Sequence, residues 1–385
     1  MNRERVLHIV LAVIGIGALT AYLVACRPSW SPDGSKVLFP YLDPGAKQAG
    51  IALYDKNTGK TSSIFSKPAA VGSQAEPFAW PWAQWDRKGE RAIVVWTEGK
   101  DKPDELHVHV LRIGAEKPDR TFVLPGVDGV FPGLFLPETE GSLFAAGDAA
   151  LIRMDLETGA VERRKPEGTG GIVLVGHGDQ IHYCAELAGS KREYQIGTLD
   201  AKKLSLRPAI KLRKEDVGEI SPLMAVAKDG SAIAISAKKE PKYLLLVLTG
   251  DKLQKSIPLE LSSETHVLGN LEWAADGKTV YAALAARVKD QKRFQLGVAE
   301  VTVDTGAMRV TPLLRIGSEN MDSEVLPLLF QISLSPDGKT VAAAATCLTG
   351  QFEDEKDRAL YLVDLTTPER KVTKIPPPSA AGGKP

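Results

Sequence analysis

Trp30-Ser31-Pro32-Asp33-Gly34-Ser35-Lys36-Val37-Leu38-Phe39 decides the fold, because worn copies of it recur along the 385-residue chain. Leu334-Ser335-Pro336-Asp337-Gly338-Lys339-Thr340-Val341 repeats it almost intact. Trp273-Ala274-Ala275-Asp276-Gly277 and Val226-Ala227-Lys228-Asp229-Gly230 are the same unit, and weaker copies end on Gly89, Gly141 and Gly178. The anchor glycines at 34, 89, 141, 178, 230, 277 and 338 lie 55, 52, 37, 52, 47 and 61 residues apart, the differences between successive numbers. Such a period marks one supersecondary unit that cannot bury its apolar face alone, so the copies must stack.

Each copy has one internal order. An apolar run leads into an Asp-Gly turn, then into an alternating strand such as Val37-Leu38-Phe39 or Ile93-Val94-Val95-Trp96. Asp caps its own downstream backbone and Gly accepts positive φ, so these turns read as hairpins. A second turn follows, at Asp55-Lys56-Asn57-Thr58-Gly59, Asp155-Leu156-Glu157-Thr158-Gly159 and Asp304-Thr305-Gly306. Reduced forms occur at Asp200 with Lys202, at Thr249-Gly250 and at Asp364-Leu365-Thr366-Thr367. Two hairpin turns and a connecting loop give four antiparallel strands per unit. Seven such units predict an all-β chain, a seven-bladed β-propeller of four-stranded blades, although the unit length also accommodates six or eight. No amphipathic helical segment of useful length follows residue 26. The units resemble the WSPDG repeats of TolB-type, WD-like β-propellers over residues 28 to 376, most specifically in units one, five, six and seven.

Length alone allows two domains, but the repeat is continuous, so the domain reading is an N-terminal segment 1–26, a propeller 27–376 and a disordered tail 377–385. The 48 basic and 48 acidic side chains cancel. No global field therefore draws nucleic acid to the chain. Arg3 and Arg5 precede an uncharged run from Val6 to Ala25, which reads as a signal sequence or anchor. Its end, Leu23-Val24-Ala25-Cys26, resembles the lipobox of bacterial lipoproteins. That resemblance implies lipidation at Cys26 and, with Arg27 next to it, a periplasmic or outer-membrane location. Two alternatives stay open: an uncleaved transmembrane segment, since about twenty apolar residues span a bilayer, and a secreted protein cut near Ala25. All three place the propeller outside the cytoplasm. Cys184 and Cys347 sit three units apart, too far for the roughly 7 Å a disulfide allows, and read as buried thiols.

No Gly-x-Ser-x-Gly elbow, His-x-x-x-His, Cys-x-x-Cys or phosphate loop occurs, so no catalytic residue, metal or cofactor is expected. His107 and His109 share one strand face, yet that strand is third in its unit and away from the channel. The repeated aspartates are explained by turn geometry. Variable loops on a rigid scaffold are where function concentrates. Those loops gather Lys191, Arg192, Lys238, Lys239, Lys242, Arg287, Lys289, Lys292 and Arg293 from three consecutive units, and Glu353, Asp354, Glu355 and Asp357 from the next. A basic arc beside an acidic corner suits steering of a charged partner. Trp80 and Trp82, with Phe78, lead into an innermost strand and are candidate channel-mouth aromatics with Phe131; aromatics of this kind are equally standard packing between blades. The expected function is a non-catalytic, membrane-tethered interaction or envelope-scaffold module whose partner is a protein or another cell-envelope component. The alternative is a ligand-binding or hydrolytic, lactonase-like propeller, but Glu272 is the only carboxylate on the candidate innermost strands.

Overall fold

Each copy of the repeat folds into its own antiparallel sheet, and the sheets form the ring of a seven-bladed β-propeller. The computed structural model describes residues 27–43, 48–68, 81–97, 106–115, 117–124, 141–147, 150–178, 180–188, 193–239, 242–259, 266–288, 293–317, 330–345 and 358–378. The blades occupy residues 29–68, 82–124, 142–164, 169–213, 219–259, 266–317 and 330–375. Within the described residues six blades have four strands and blade three has three. In every sheet, neighbours in space are neighbours in sequence. First strands of successive blades touch one another, so each blade is a meander running outward from the channel.

Turn chemistry explains the meander. All seven anchor glycines have positive φ, between 56° and 71°. At the second turn, Gly59, Gly159, Gly250 and Gly306 do the same. Units four and seven lack that glycine, and there Leu204 (49°) and Arg370 (55°) take the left-handed conformation. A non-glycine residue pays strain at such a φ, and both are held in place: Leu204 is fully buried, while Arg370 bonds Thr367 O and forks onto Glu300 of blade six.

Seven apolar clusters hold the ring, one at each seam between adjacent blades. Sheet faces must bury against a neighbour, and small residues such as Ala342, Ala343 and Ala344 let the blades approach closely. Among the described residues no blade mixes strands from the two chain ends. The seam between blades seven and one closes without a shared strand, by packing of Trp30, Val37, Phe39 and Tyr54 against Ala342, Leu360 and Leu362 and by a bond from the Trp30 indole to blade seven.

The outer edges are blunted. The two outermost strands of blades one, four, five and six carry a β-bulge, opposite the fourth and fifth residues of the third strand in blades one, four and six. At Gly197 a Cβ would lie 2.1 Å from the bulged carbonyl of Arg207, so only glycine fits. Pro208, Pro258 and Pro312 lie on the outermost strands of blades four, five and six. Bulges and prolines there remove the template for edge-to-edge pairing.

Candidate functional site

The two faces of the ring differ in what their residues are occupied with. On one lie the Asp-Gly and Thr-Gly turns, tied to each other by backbone bonds such as Lys56 N–H to Ser35 O (2.8 Å), Val303 N–H to Lys278 O (2.8 Å) and Leu365 N–H to Lys339 O (2.8 Å). The repeat residues there also join neighbouring blades. Trp30 Nε1 donates to Ser333 O of blade seven at 3.1 Å, and Trp85 Nε1 to Ser29 O of blade one at 2.9 Å. A Cβ on Gly89 would meet Pro32 of the preceding blade at 3.1 Å, and one on Gly34 would meet Pro336 at 3.6 Å. Ser31 and Ser335 hydroxyls bond Asp33 and Asp337 at 2.6 Å and accept the amides of Lys36 and Thr340. Those hydroxyl bonds, with the amide of Ser35, hold the Asp33 carboxyl down at about 2, and the Ser335 hydroxyl lowers Asp337. Cations on outer strands reach the next blade's turn: Arg120 to Glu157, Arg164 to Lys203 O, Lys255 to Asp304. This face is the ring's fastening.

The opposite face carries the loops between second and third strands and the links between blades. Lys238 and Lys239 end the second strand of blade five, Ala232–Lys239, and Lys242 begins the third, Lys242–Thr249. Arg287 ends the second strand of blade six, Thr279–Arg287, and Arg293 begins the third, Arg293–Thr302. All five side chains are exposed. Lys239 lies directly across the ladder from Lys242, a like-charge pairing that opposes the hairpin. The short helix Lys214–Val217 between blades four and five sits beside them, and Lys239 Nζ donates to Asp216 O at 2.8 Å. Arg213 pairs locally with Glu215 and Asp216 at 2.9 Å each. Exposed pairs of this kind contribute about 0–1 kcal/mol. Lys191, Arg192, Lys289, Lys292, Glu353, Asp354, Glu355 and Asp357 lie outside the described residues, as do Cys26 and Trp80.

Of the two readings of Trp82, the structure shows packing between blades. It is 6% exposed and packs with Ile93, Val95, Leu143 and Ala145 between blades two and three. Its ring is seam packing, because strand alternation turns it toward the neighbouring blade rather than the channel mouth. His107 and His109 do stand side by side, with rings 6.4 Å apart and nearly parallel. His109 meets the Thr121 hydroxyl at 3.0 Å and the Phe65 ring at 5.1 Å. Among the described residues no three His, Cys, Asp or Glu side chains gather as a metal site would need. Cys184 is buried mid-strand, and burial pushes its thiol up to about 12.

On the channel wall, Glu272 of blade six pairs with Arg27, the residue before Pro28 and the first strand. It also accepts the Leu334 amide of blade seven. Burial raises its carboxyl above the usual range, against the pull of Arg27. Two residues away, Asn270 bonds both backbone groups of Ile332 in blade seven, at 2.7 and 2.8 Å. Sequence reading flagged Glu272 as a lone inner acid and missed its partner, since 245 residues separate the two.

No protein-family model matches the chain, and no curated protein matches it. Solved structures do. A chain of the mitotic checkpoint complex aligns over 84% of both chains with 13% identity and a TM-score of 0.51. A prolyl endopeptidase aligns over 83% of this chain with 15% identity and a TM-score of 0.53, but over only 46% of its own length. TolB from Acinetobacter baumannii aligns over 72% of this chain and 64% of its own, with 14% identity and a TM-score of 0.46. Identities this low speak to architecture alone, and the architecture they share with this chain is the β-propeller.

Proposed function

We propose that the protein is a non-catalytic, membrane-tethered, extracytoplasmic propeller of TolB-like kind that binds a protein or another cell-envelope component through its variable-loop face. One observation carries this reading. The turn face carries the bonds that join the blades, whereas the loop face, where the repeat is interrupted, sets five exposed cations on the strand ends of adjacent blades five and six. Rigid strand ends position those charges, and a fixed array of like charge steers an acidic partner at long range. The tether rests on the apolar run from Val6 to Ala25 and on Cys26, which lie outside the described residues. Among the described residues no helix is long and apolar enough to cross a membrane.

Charge reversal tests the reading. Lys238→Glu, Lys242→Glu and Arg287→Glu together should abolish recovery of the same envelope partners that the parent chain retains. Reversal of Lys56 and Lys278 on the turn face should leave that set unchanged. Equal losses from both variants, or from neither, would overturn the assignment of the face. For the tether, Cys26→Ala removes lipid labelling if the anchor is a lipid; membrane retention without any lipid label in the parent assigns the apolar run as the span.

A further inference from the structure

We propose that the Arg27–Glu272 pair is an acid-released latch. While both groups are charged it fixes the point where the chain enters the ring, and uptake of a proton by Glu272 frees that point without opening the ring. Neither the loop face nor the tether proposed above takes part in it.

Geometry sets up the latch. Arg27 and Pro28 lead into Ser29–Trp30, the innermost strand of blade one, yet Arg27 pairs with Glu272 on the innermost strand of blade six. Blade seven lies between them, and Glu272 accepts the Leu334 amide from its innermost strand, Phe330–Leu334. One carboxylate therefore gathers three consecutive blades where the ring closes. The Glu272 side chain is 13% exposed and that of Arg27 43%, so the cation has a path to water that the carboxylate lacks. Pro28, next to Arg27, is buried.

Neutralising Glu272 releases one partner only. A neutral carboxyl still accepts the Leu334 amide through its carbonyl oxygen, and its burial costs far less than that of a carboxylate. Arg27 stays a cation, loses its counter-charge and gains hydration. The neighbouring bonds are made by groups that carry no charge to lose. Asn270 holds the Ile332 carbonyl and amide at 2.7 and 2.8 Å, and Trp30 Nε1 donates to Ser333 O at 3.1 Å. Those bonds and the apolar seams on either side of blade seven keep the ring closed.

Its surroundings make Glu272 respond before the carboxylates of the turn face. The charge acting on it is that of Arg27, from the entering chain; Asn270 on its own strand and the Leu334 amide are neutral. Tyr281, opposite it on the next strand, stays neutral because burial pushes its hydroxyl up to about 12. Glu300, one strand further, is forked by Arg370. Burial outweighs Arg27 and raises the Glu272 carboxyl, whereas Asp33, Asp337 and Asp364 are held below the usual range by their turn hydrogen bonds. Falling pH therefore reaches Glu272 while those carboxylates are still ionised.

Hydroxyl-radical footprinting of the full chain between pH ~7 and pH ~5, read residue by residue by mass spectrometry, tests the latch. Pro28 should oxidise about fivefold faster once the pair is lost, the population change that one partly exposed ion pair commands. Glu272→Gln should show the faster rate already at pH ~7 and no further change on acidification, and Arg27→Ala should match it. Trp82, packed between blades two and three, should stay protected throughout. If Pro28 stays protected in the parent at pH ~5, or in Glu272→Gln at pH ~7, there is no latch. Joint exposure of Pro28 and Trp82 on acidification would mean that the ring itself opens, which overturns selective release. A pH response that survives in Glu272→Gln assigns the switch to another group and overturns the role of Glu272.

Discussion

Trp30→Phe isolates one hydrogen bond at the seam where the two ends of the ring meet. Phenylalanine keeps an aromatic ring in the cluster with Val37, Tyr54 and Leu362 but cannot donate to Ser333 O. A typical hydrogen bond contributes about 0.5–1.5 kcal/mol, and a buried acceptor left unmade costs about 1–3 kcal/mol. The expected loss is therefore about 1–3 kcal/mol. Trp273 supplies the control, at the same place in the repeat and buried alike, 7% exposed against 8%, yet its Nε1 makes no hydrogen bond. Trp273→Phe should cost under about 1 kcal/mol, the apolar area lost alone. Unfolding entropy of ~2.1 cal/mol/K per residue over roughly 350 residues makes 1 kcal/mol worth about 1.4 °C. Calorimetric melts should then fall by about 1.4–4 °C for Trp30→Phe and by under about 1.4 °C for Trp273→Phe. Trp85→Phe, which loses its bond to Ser29 O away from the closing seam, should follow Trp30→Phe. Equal shifts for Trp30→Phe and Trp273→Phe would refute the claim that the repeat tryptophan fastens blades through its indole N–H.

Two further outcomes follow from the carboxylates. Asp33 is held at about 2 against 3.8 when free, so it contributes stability above pH ~3.8 that is lost as pH falls toward ~2. Asp33→Asn should flatten the acid limb of the melting curve across that window, and an unchanged limb would count against the Ser31–Asp33 turn as its origin. Glu272 has its carboxyl raised, so the folded state favours its neutral form, most strongly below pH ~4.5 and less as pH rises. Glu272→Gln should fall within about 1 kcal/mol of the parent. Arg27→Ala should cost about 1–2 kcal/mol after discounting for the half-exposed guanidinium. Its deficit should be larger at pH 7 than at pH 4; the reverse order would mean that Glu272 is not stabilised by Arg27.

The blade count was legible because the turn glycines are obligatory. Their positive φ cannot be supplied cheaply by another residue, so the repeat survives where strand residues drift. The same logic explains why units four and seven were hard to read at the second turn, where Leu204 and Arg370 take a glycine's conformation. What the sequence hid is how the repeat joins one blade to the next. Trp30, Pro32 and Ser31 look like parts of a local turn, yet Trp30 bonds blade seven and Pro32 packs on Gly89 of blade two. Local spacing carries no information on contacts made across the ring. Trp82 left two readings open for a related reason, since a tryptophan at a strand start has the same sequence signature whether it faces the channel or the seam, and it packs in the seam. The candidate face was legible as loops that interrupt the repeat, and the structure adds the exposure of five of its cations and the Lys239–Lys242 opposition.

Lysine cross-linking in the native envelope, read by mass spectrometry, tests most directly the claim that one face of the ring binds and the other fastens. The account predicts reproducible links from Lys238, Lys239 and Lys242 to envelope components, and only links within the ring from Lys56, Lys255 and Lys278. Links to a partner concentrated on Lys56 and Lys278, with the loop-face lysines reacting only with water, would contradict it.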